Sequence, residues 1–318
     1  MTVMRGTSAP KHSTVSQRGR AQTDARLMTR AAIASVCVSA VLIAAKSAAF
    51  LLSGSVAMLA SLVDSAIDFL ASAGNLIAVR QSLVPADQQH RFGHGKAEAI
   101  AGMAQGLLVV GSMLFLVSEA FGRLLNPLPL DFGWAAIAVM IVSIVLTFAL
   151  ITYQRRVVRE TKSLAISSDY LHYFGDLLTN LGVIVAIVLS TNLGWHIADP
   201  LIGLGIAGVL AVSAWQILRA SLDQLMDHEL PEEERQRIKS IVLGFEQVRG
   251  LHDLRTRTAG TQTFLQLHVE MDPAMTLANA HEVSDKIEAA LLTAFPAAEI
   301  LIHLDPHGAE LPPPLARS

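Results

Sequence analysis

Asp64 and Asp68 stand four residues apart inside one apolar run, and His172 and Asp176 repeat that spacing inside another. Four residues is about one helical turn, so each pair projects from a single helix face. A carboxylate at the bilayer centre costs roughly 2.5–3.5 kcal/mol on insertion scales. Such groups therefore need a cation, a proton or a basic partner. Three carboxylates and an imidazole can close a tetrahedral shell around a divalent transition ion. The bland alternative is a buried hydrogen-bond cluster, but no Lys or Arg lies near these residues in sequence to offset the charge. The oxygen-and-nitrogen donor set suits zinc and tolerates cadmium, iron(II) or manganese, with the imidazole favouring zinc over manganese. Histidine titrates near physiological pH and neighbouring carboxylates titrate together, so protons and metal compete for these donors. A site of this kind that opens alternately to each side exchanges metal for protons. Asn75 and Asn180 lie further along the same two runs, where they support either the ligands or interhelical hydrogen bonds.

Two further groups could ligate metal. Asp87, His90 and His94 fall within eight residues of a polar loop, and Gly93 and Gly95 let the backbone turn around one ion. A solvated polar loop is the alternative. Near the C-terminus, His252, His268, His281, His303 and Asp305 are spread over a polar domain. His303 and Asp305 are two apart and so share a strand face. A binuclear metal site is the sharp reading and ordinary surface histidines the plain one. His307 is a weaker addition, and His12, His196 and His228 are background.

The elements that must hold these groups follow from hydropathy. Six apolar segments, at about 29–52, 56–82, 97–124, 132–155, 163–190 and 198–221, each approach the ~20 residues that cross a bilayer. Ser53-Gly54-Ser55 gives a tight first hairpin, Pro127 and Pro129 mark the third connection, and Asn192-Leu193-Gly194 begins the fifth. Arg18, Arg20, Arg26 and Arg30 open the first span; Arg80, Arg91 and Lys96 flank the second loop; Arg155, Arg156, Arg159 and Lys162 fill the fourth. This alternation predicts both termini in the cytoplasm. Lys46, Glu119 and Arg123 lie inside spans near their outer ends, where the default is a side chain reaching to the interface. Residues 1–27 read as a disordered tail, 28–225 as a six-helix transport domain, 226–308 as a cytoplasmic domain and 309–318 as a second disordered tail. In the cytoplasmic domain we expect helix at about 231–245, strands at 252–258 and 263–271, helix at 276–295 and a strand at 299–304. That αββαβ order predicts a small α+β sandwich with helices on one sheet face.

Composition agrees with a membrane protein. The chain of 318 residues is 52% hydrophobic and 16% charged, with a mean hydropathy of +0.46. Soluble domains carry about 25% charged residues. A net charge of −3 leaves no basic surface for nucleic acid, and a lone Cys37 excludes intrachain disulfides and multi-thiolate metal sites. No His-Glu-x-x-His motif is present, so an intramembrane metalloprotease is disfavoured and no enzyme is expected.

The D-x-x-x-D of the second span, the H-x-x-x-D of the fifth, FGHGKAE opening the third, and HDLRTR, LQLHVEM and IHLDP in the tail together resemble the cation diffusion facilitators, nearest the bacterial ferrous-iron and zinc efflux branch. The resemblance covers about residues 28–307. It implies a homodimer in the bacterial inner membrane, six spans per subunit and a copper-chaperone-like cytoplasmic domain. It implies zinc/proton antiport through Asp64, Asp68, His172 and Asp176, a loop site at Asp87, His90 and His94, and a binuclear site at His252, His268, His281, His303 and Asp305 near the dimer contact. It also implies a charge interlock between Lys96 and Asp227. Two functions remain to be separated: a proton-coupled exporter of divalent metal, or a membrane sensor that binds zinc without moving it. A sensor needs no ligands at mid-bilayer.

Overall fold

The computed structural model describes residues 11–53, 56–125, 134–193 and 197–308. The loops expected around Gly54-Ser55, Pro127–Pro129 and Gly194, and the Pro-rich end, lie outside these residues. The chain divides into two compact units at Leu225/Met226, with Gln22–Leu225 forming one of them.

That unit is built of six long helices: α1 (Lys11–Ser53) from Gln22 onward, α2 (Val56–Ser82), α3 (Ala97–Leu125), α4 (Trp134–Thr161), α5 (Leu164–Leu193) and α6 (Ala198–Leu225). Helix α1 starts well inside the expected tail of residues 1–27. Ala21, Ala25, Leu27 and Met28 are strong helix formers, Thr29 Oγ1 bonds the Ala25 carbonyl at 2.8 Å, and Met28 is buried. Among the described residues five helices, all but α5, are long and apolar enough to cross a membrane. The sequence expectation of six spans counts α5 with them. Helix α5, 30 residues long, is also of membrane-crossing length and carries Asp169, His172, Asp176, Thr179 and Asn180.

Helices α3, α5 and α6 approach closely. A Cβ on Gly106 would meet Leu218 Cδ2 at 2.8 Å, and one on Gly175 would meet Leu210 Cδ2 at 2.5 Å. Small residues at such crossings let backbones near one another where lipid offers no hydrophobic gain. Gly175 immediately precedes Asp176, so this contact fixes the rotation of the ligand-bearing stretch. The start of α5 is set from another helix. Glu98 of α3 is buried, and its Oε2 accepts hydrogen bonds from Ser163 Oγ (2.8 Å) and the Leu164 N–H (2.9 Å). A carboxylate at a helix N-terminus satisfies orphan donors and complements the helix dipole. The Glu of FGHGKAE thus caps α5.

The second unit holds α7 (Glu232–Leu243), β1 (Val248–Ala259), β2 (Gln262–Met271), α8 (Leu277–Ala294) and β3 (Ala298–Pro306). The order is αββαβ. Strand β2 is central, antiparallel to β1 and parallel to β3. Leu265, Leu267, Val269 and Met271 alternate along β2 toward a core shared with Ile238 and Val242 of α7 and Val283, Ile287 and Leu291 of α8. Period-two alternation therefore turns Gln266, His268 and Glu270 to the opposite, open face. The segment before α7 is tied to β1, with Glu229 Oε2 accepting from the Thr256 N–H at 3.0 Å and the Leu230 N–H donating to Thr256 Oγ1 at 2.9 Å.

Candidate metal centres

The pairs on α2 and α5 face one another. His172 Nε2 lies 3.1 Å from Asp68 Oδ1 and 3.7 Å from Asp176 Oδ2, and one donor atom from each of the three residues falls within 4.8 Å of the others. His172 is buried, with 7% of its side chain exposed. Asp64 stands outside this trio but lines the same cavity of about 770 Å³, together with Asp68, His172, Asp176 and Asn180. Asn75 is not part of it: its Nδ2 donates to the Ala165 carbonyl at 3.3 Å, an interhelical bond.

Three polar features here were not read from the sequence. Lys46 of α1 lines this cavity, and its Nζ donates to Ser65 Oγ at 2.6 Å and to the Ser61 carbonyl at 3.1 Å, both on α2. The sequence expected this side chain to reach the interface; in the fold its amine meets α2. One turn before His172, Asp169 is fully buried, accepting from Ser35 Oγ of α1 and, at 2.7 Å, from Gln154 Nε2 of α4. Tyr173 Oη lies 2.8 Å from Ser72 Oγ of α2. These bonds fasten α5 to three other helices. Glu119 and Arg123 are likewise paired within the fold: Arg123 Nε donates to Glu119 Oε1 at 2.9 Å and its Nη1 to Asp199 Oδ2 of α6 at 2.8 Å.

In the loop after α2, Asp87 lies 3.5 Å from His90 Nδ1 and 3.5 Å from His94 Nε2, and these three form a second possible ligand group. Asp87 Oδ1 accepts the backbone N–H groups of Gln89 (2.8 Å) and His90 (2.6 Å). The bond from His90 holds its carboxyl below the usual carboxylate range. Gly93, at φ 76°, supplies the left-handed residue the turn requires. His94 Nδ1 lies 3.3 Å from the Val84 carbonyl, which favours a proton on Nδ1 and a lone pair on the Nε2 facing Asp87. Lys96 Nζ donates to the Leu225 carbonyl at 3.2 Å, while Asp227 Oδ1 lies 3.3 Å from Arg257 Nη1.

Strand register assembles the third group. His252 is opposite His268, and His268 is opposite His303, so three imidazoles line up across β1, β2 and β3 on the open face. Asp305 sits beside the row: Oδ2 lies 2.8 Å from His268 Nδ1 and 3.4 Å from His252 Nε2, and Oδ1 is 3.3 Å from His303 Nε2. His252, His268 and Asp305 satisfy the close-donor condition. His281 does not join them. It is on α8, which covers the other sheet face, and 75% of its side chain is exposed beside Asp285. Glu270, absent from the sequence reading, accepts from His252 Nδ1 at 2.9 Å and pairs with His307 Nδ1 at 2.8 Å. Those bonds, the one to His307 first, hold its carboxyl below the usual glutamate range. Carboxylate–histidine contacts of this kind fix the tautomer and ring orientation of a metal ligand.

A bundle of membrane-length helices with metal donors at its centre, joined to a small α+β domain carrying more, defines a cation transporter. Residues 32–226 match the family of the cation efflux transmembrane domain, and residues 230–307 match that of the cation efflux protein cytoplasmic domain. The chain is 44% identical to the cation-efflux pump FieF of Klebsiella pneumoniae over 285 residues, 90% of this chain and 95% of that one. A solved structure of the transporter CzrB is 36% identical, covering 25% of this chain and 99% of that one with a TM-score of 0.24. The metal-bound C-terminal domain of the CzcD transporter from Thermotoga maritima is 26% identical, covering 24% and 96%, with a TM-score of 0.23. This chain belongs to the cation efflux family. It is a multi-pass membrane transporter of divalent metal and not an enzyme.

Proposed function

We propose that this protein exports zinc from the cytoplasm, with iron(II) and cadmium as further cargo, in exchange for protons. The observation that carries this reading is the meeting of Asp68, His172 and Asp176 across α2 and α5, in a cavity that Asp64 also lines. An imidazole among carboxylates is a donor set that suits zinc. Metal binding requires these donors deprotonated, so arrival of the ion releases protons and their return expels it. The transport domain spans 28–225 and the cytoplasmic domain 226–308. The protein works as a homodimer in the inner membrane with both termini in the cytoplasm, consistent with the basic residues of the second and fourth loops. Asp87, His90 and His94 act at the cytoplasmic approach to the transport site. His252, His268 and Asp305, with His303 alongside, hold zinc that is not cargo. A pure sensor would leave the α2–α5 donors without a use.

The test is zinc flux in vesicles carrying the purified protein under an imposed pH gradient, followed with an internal metal dye. Zinc movement opposite to the proton gradient, lost in Asp68→Ala, is expected. Retained zinc binding without flux in the wild type would instead favour the sensor.

A further inference from the structure

Lys46 is the only Lys or Arg among the described residues lining the central cavity, where it shares the walls with Asp64, Asp68 and Asp176. Its position is specified. The amine is anchored by Ser65 Oγ at 2.6 Å and by a backbone carbonyl, that of Ser61, at 3.1 Å. Ser65 is itself buried and follows Asp64 directly. A lysine free to choose would extend its stem toward water and headgroups. Here the ammonium turns inward to α2, beside the carboxylates.

Charge arithmetic gives that placement a meaning. Once a metal is bound its carboxylate ligands are deprotonated. Three carboxylates and one ammonium carry −3 + 1 = −2, the amount that one divalent ion neutralises. Without the ammonium, one negative charge of the loaded cavity would lie in a low-dielectric surrounding with nothing to offset it. After the ion leaves, the same ammonium still offsets one of the three carboxylates.

We propose that Lys46 is a fixed counter-charge of the transport site, which matches the loaded cavity to one divalent cation and weakens its hold enough for release. The inference rests on the reading of Asp64, Asp68, His172 and Asp176 as the transport site. It predicts opposite effects on two kinetic constants. Removing the positive charge strengthens attraction for the ion and slows its departure, so KM for zinc falls as kcat falls.

The experiment measures zinc flux in vesicles for the wild type, Asp68→Ala, Lys46→Gln and Lys46→Arg, with zinc calorimetry on each full chain in detergent. Lys46→Gln keeps amide hydrogens for Ser61 and Ser65 but loses the charge. It is expected to lower KM and kcat by about tenfold each and to tighten zinc binding by a similar factor. Lys46→Arg is expected to return KM toward the wild-type value. Wild-type KM and affinity in Lys46→Gln, or equal loss of kcat in both variants with unchanged affinity, would overturn the counter-charge role. Wild-type flux in Asp68→Ala would instead remove the transport-site reading beneath it. If Lys46→Gln does not fold, Lys46→Met is read by the same calorimetry, and unchanged zinc affinity there overturns the inference as well.

Discussion

The central cavity and the sheet cluster use the same two side-chain types but surround them differently. In the bundle, Asp68, His172 and Asp176 converge from two helices, and Lys46 is the one Lys or Arg among the described residues lining their cavity. On the sheet, His252, His268 and His303 sit in cross-strand register, and Asp305 and Glu270 link their rings. The first arrangement draws on helices that can shift against one another. The second is locked into a backbone ladder over a packed core. Transient occupancy suits the former and retention the latter.

The largest break in that contrast should come from the bundle. Asp68→Ala and Asp176→Ala are each expected to reduce zinc flux to background while the protein remains folded, as judged by circular dichroism. Flux equal to the wild type in either variant would end the distinction. Asp305→Ala should act in the other direction. Zinc affinity of the cytoplasmic cluster is expected to fall by at least about 100-fold by calorimetry on the full chain, because Asp305 touches all three imidazoles. Flux should persist, at a reduced rate. Abolished flux in this variant would make the two centres one machine.

Smaller effects sharpen the comparison. Glu98→Ala removes the cap of α5 and should cost about 1–2 kcal/mol, seen as a lower Tm in detergent with zinc affinity at the sheet unchanged. The smallest effect concerns acid. Glu270 is held below the ordinary glutamate range by His307 and His252. A depressed carboxyl contributes stability that is present above its unfolded pKa and is lost as pH falls through its folded pKa. The cytoplasmic unit should therefore lose stability at roughly pH 4 and below, and Glu270→Gln should flatten that limb. An unchanged acid limb in the variant would count against the Glu270 bonds.

Much of this was legible in one sequence because periodicity carries it. The i, i+4 spacing on α2 and α5 and the two-residue spacing of His303 and Asp305 are direct statements about a shared face. What was not legible depends on neighbours. No pattern tells which face of α8 meets the sheet, so His281 could not be separated from the strand histidines. The α2 partners of Lys46, Ser61 and Ser65, lie 15 and 19 residues away in the chain, beyond any local pattern. Asp169 drew no attention because its donors, Ser35 and Gln154, are 134 and 15 residues away in the chain. The supports of α5 met the same limit: its ligands form one i, i+4 pair, but the groups that fasten it, Ser35, Ser72, Glu98 and Gln154, lie on four other helices.

That last helix has a consequence for how the protein is made. Helix α5 carries Asp169, His172 and Asp176 into the bundle, and its N-terminus is capped by Glu98 of α3. Asp169 takes its hydrogen bonds from α1 and α4, and His172 faces α2. Every one of those partners is synthesised earlier. The first four helices therefore form a receptacle into which the fifth is received, and biogenesis runs in the order that shields its charges.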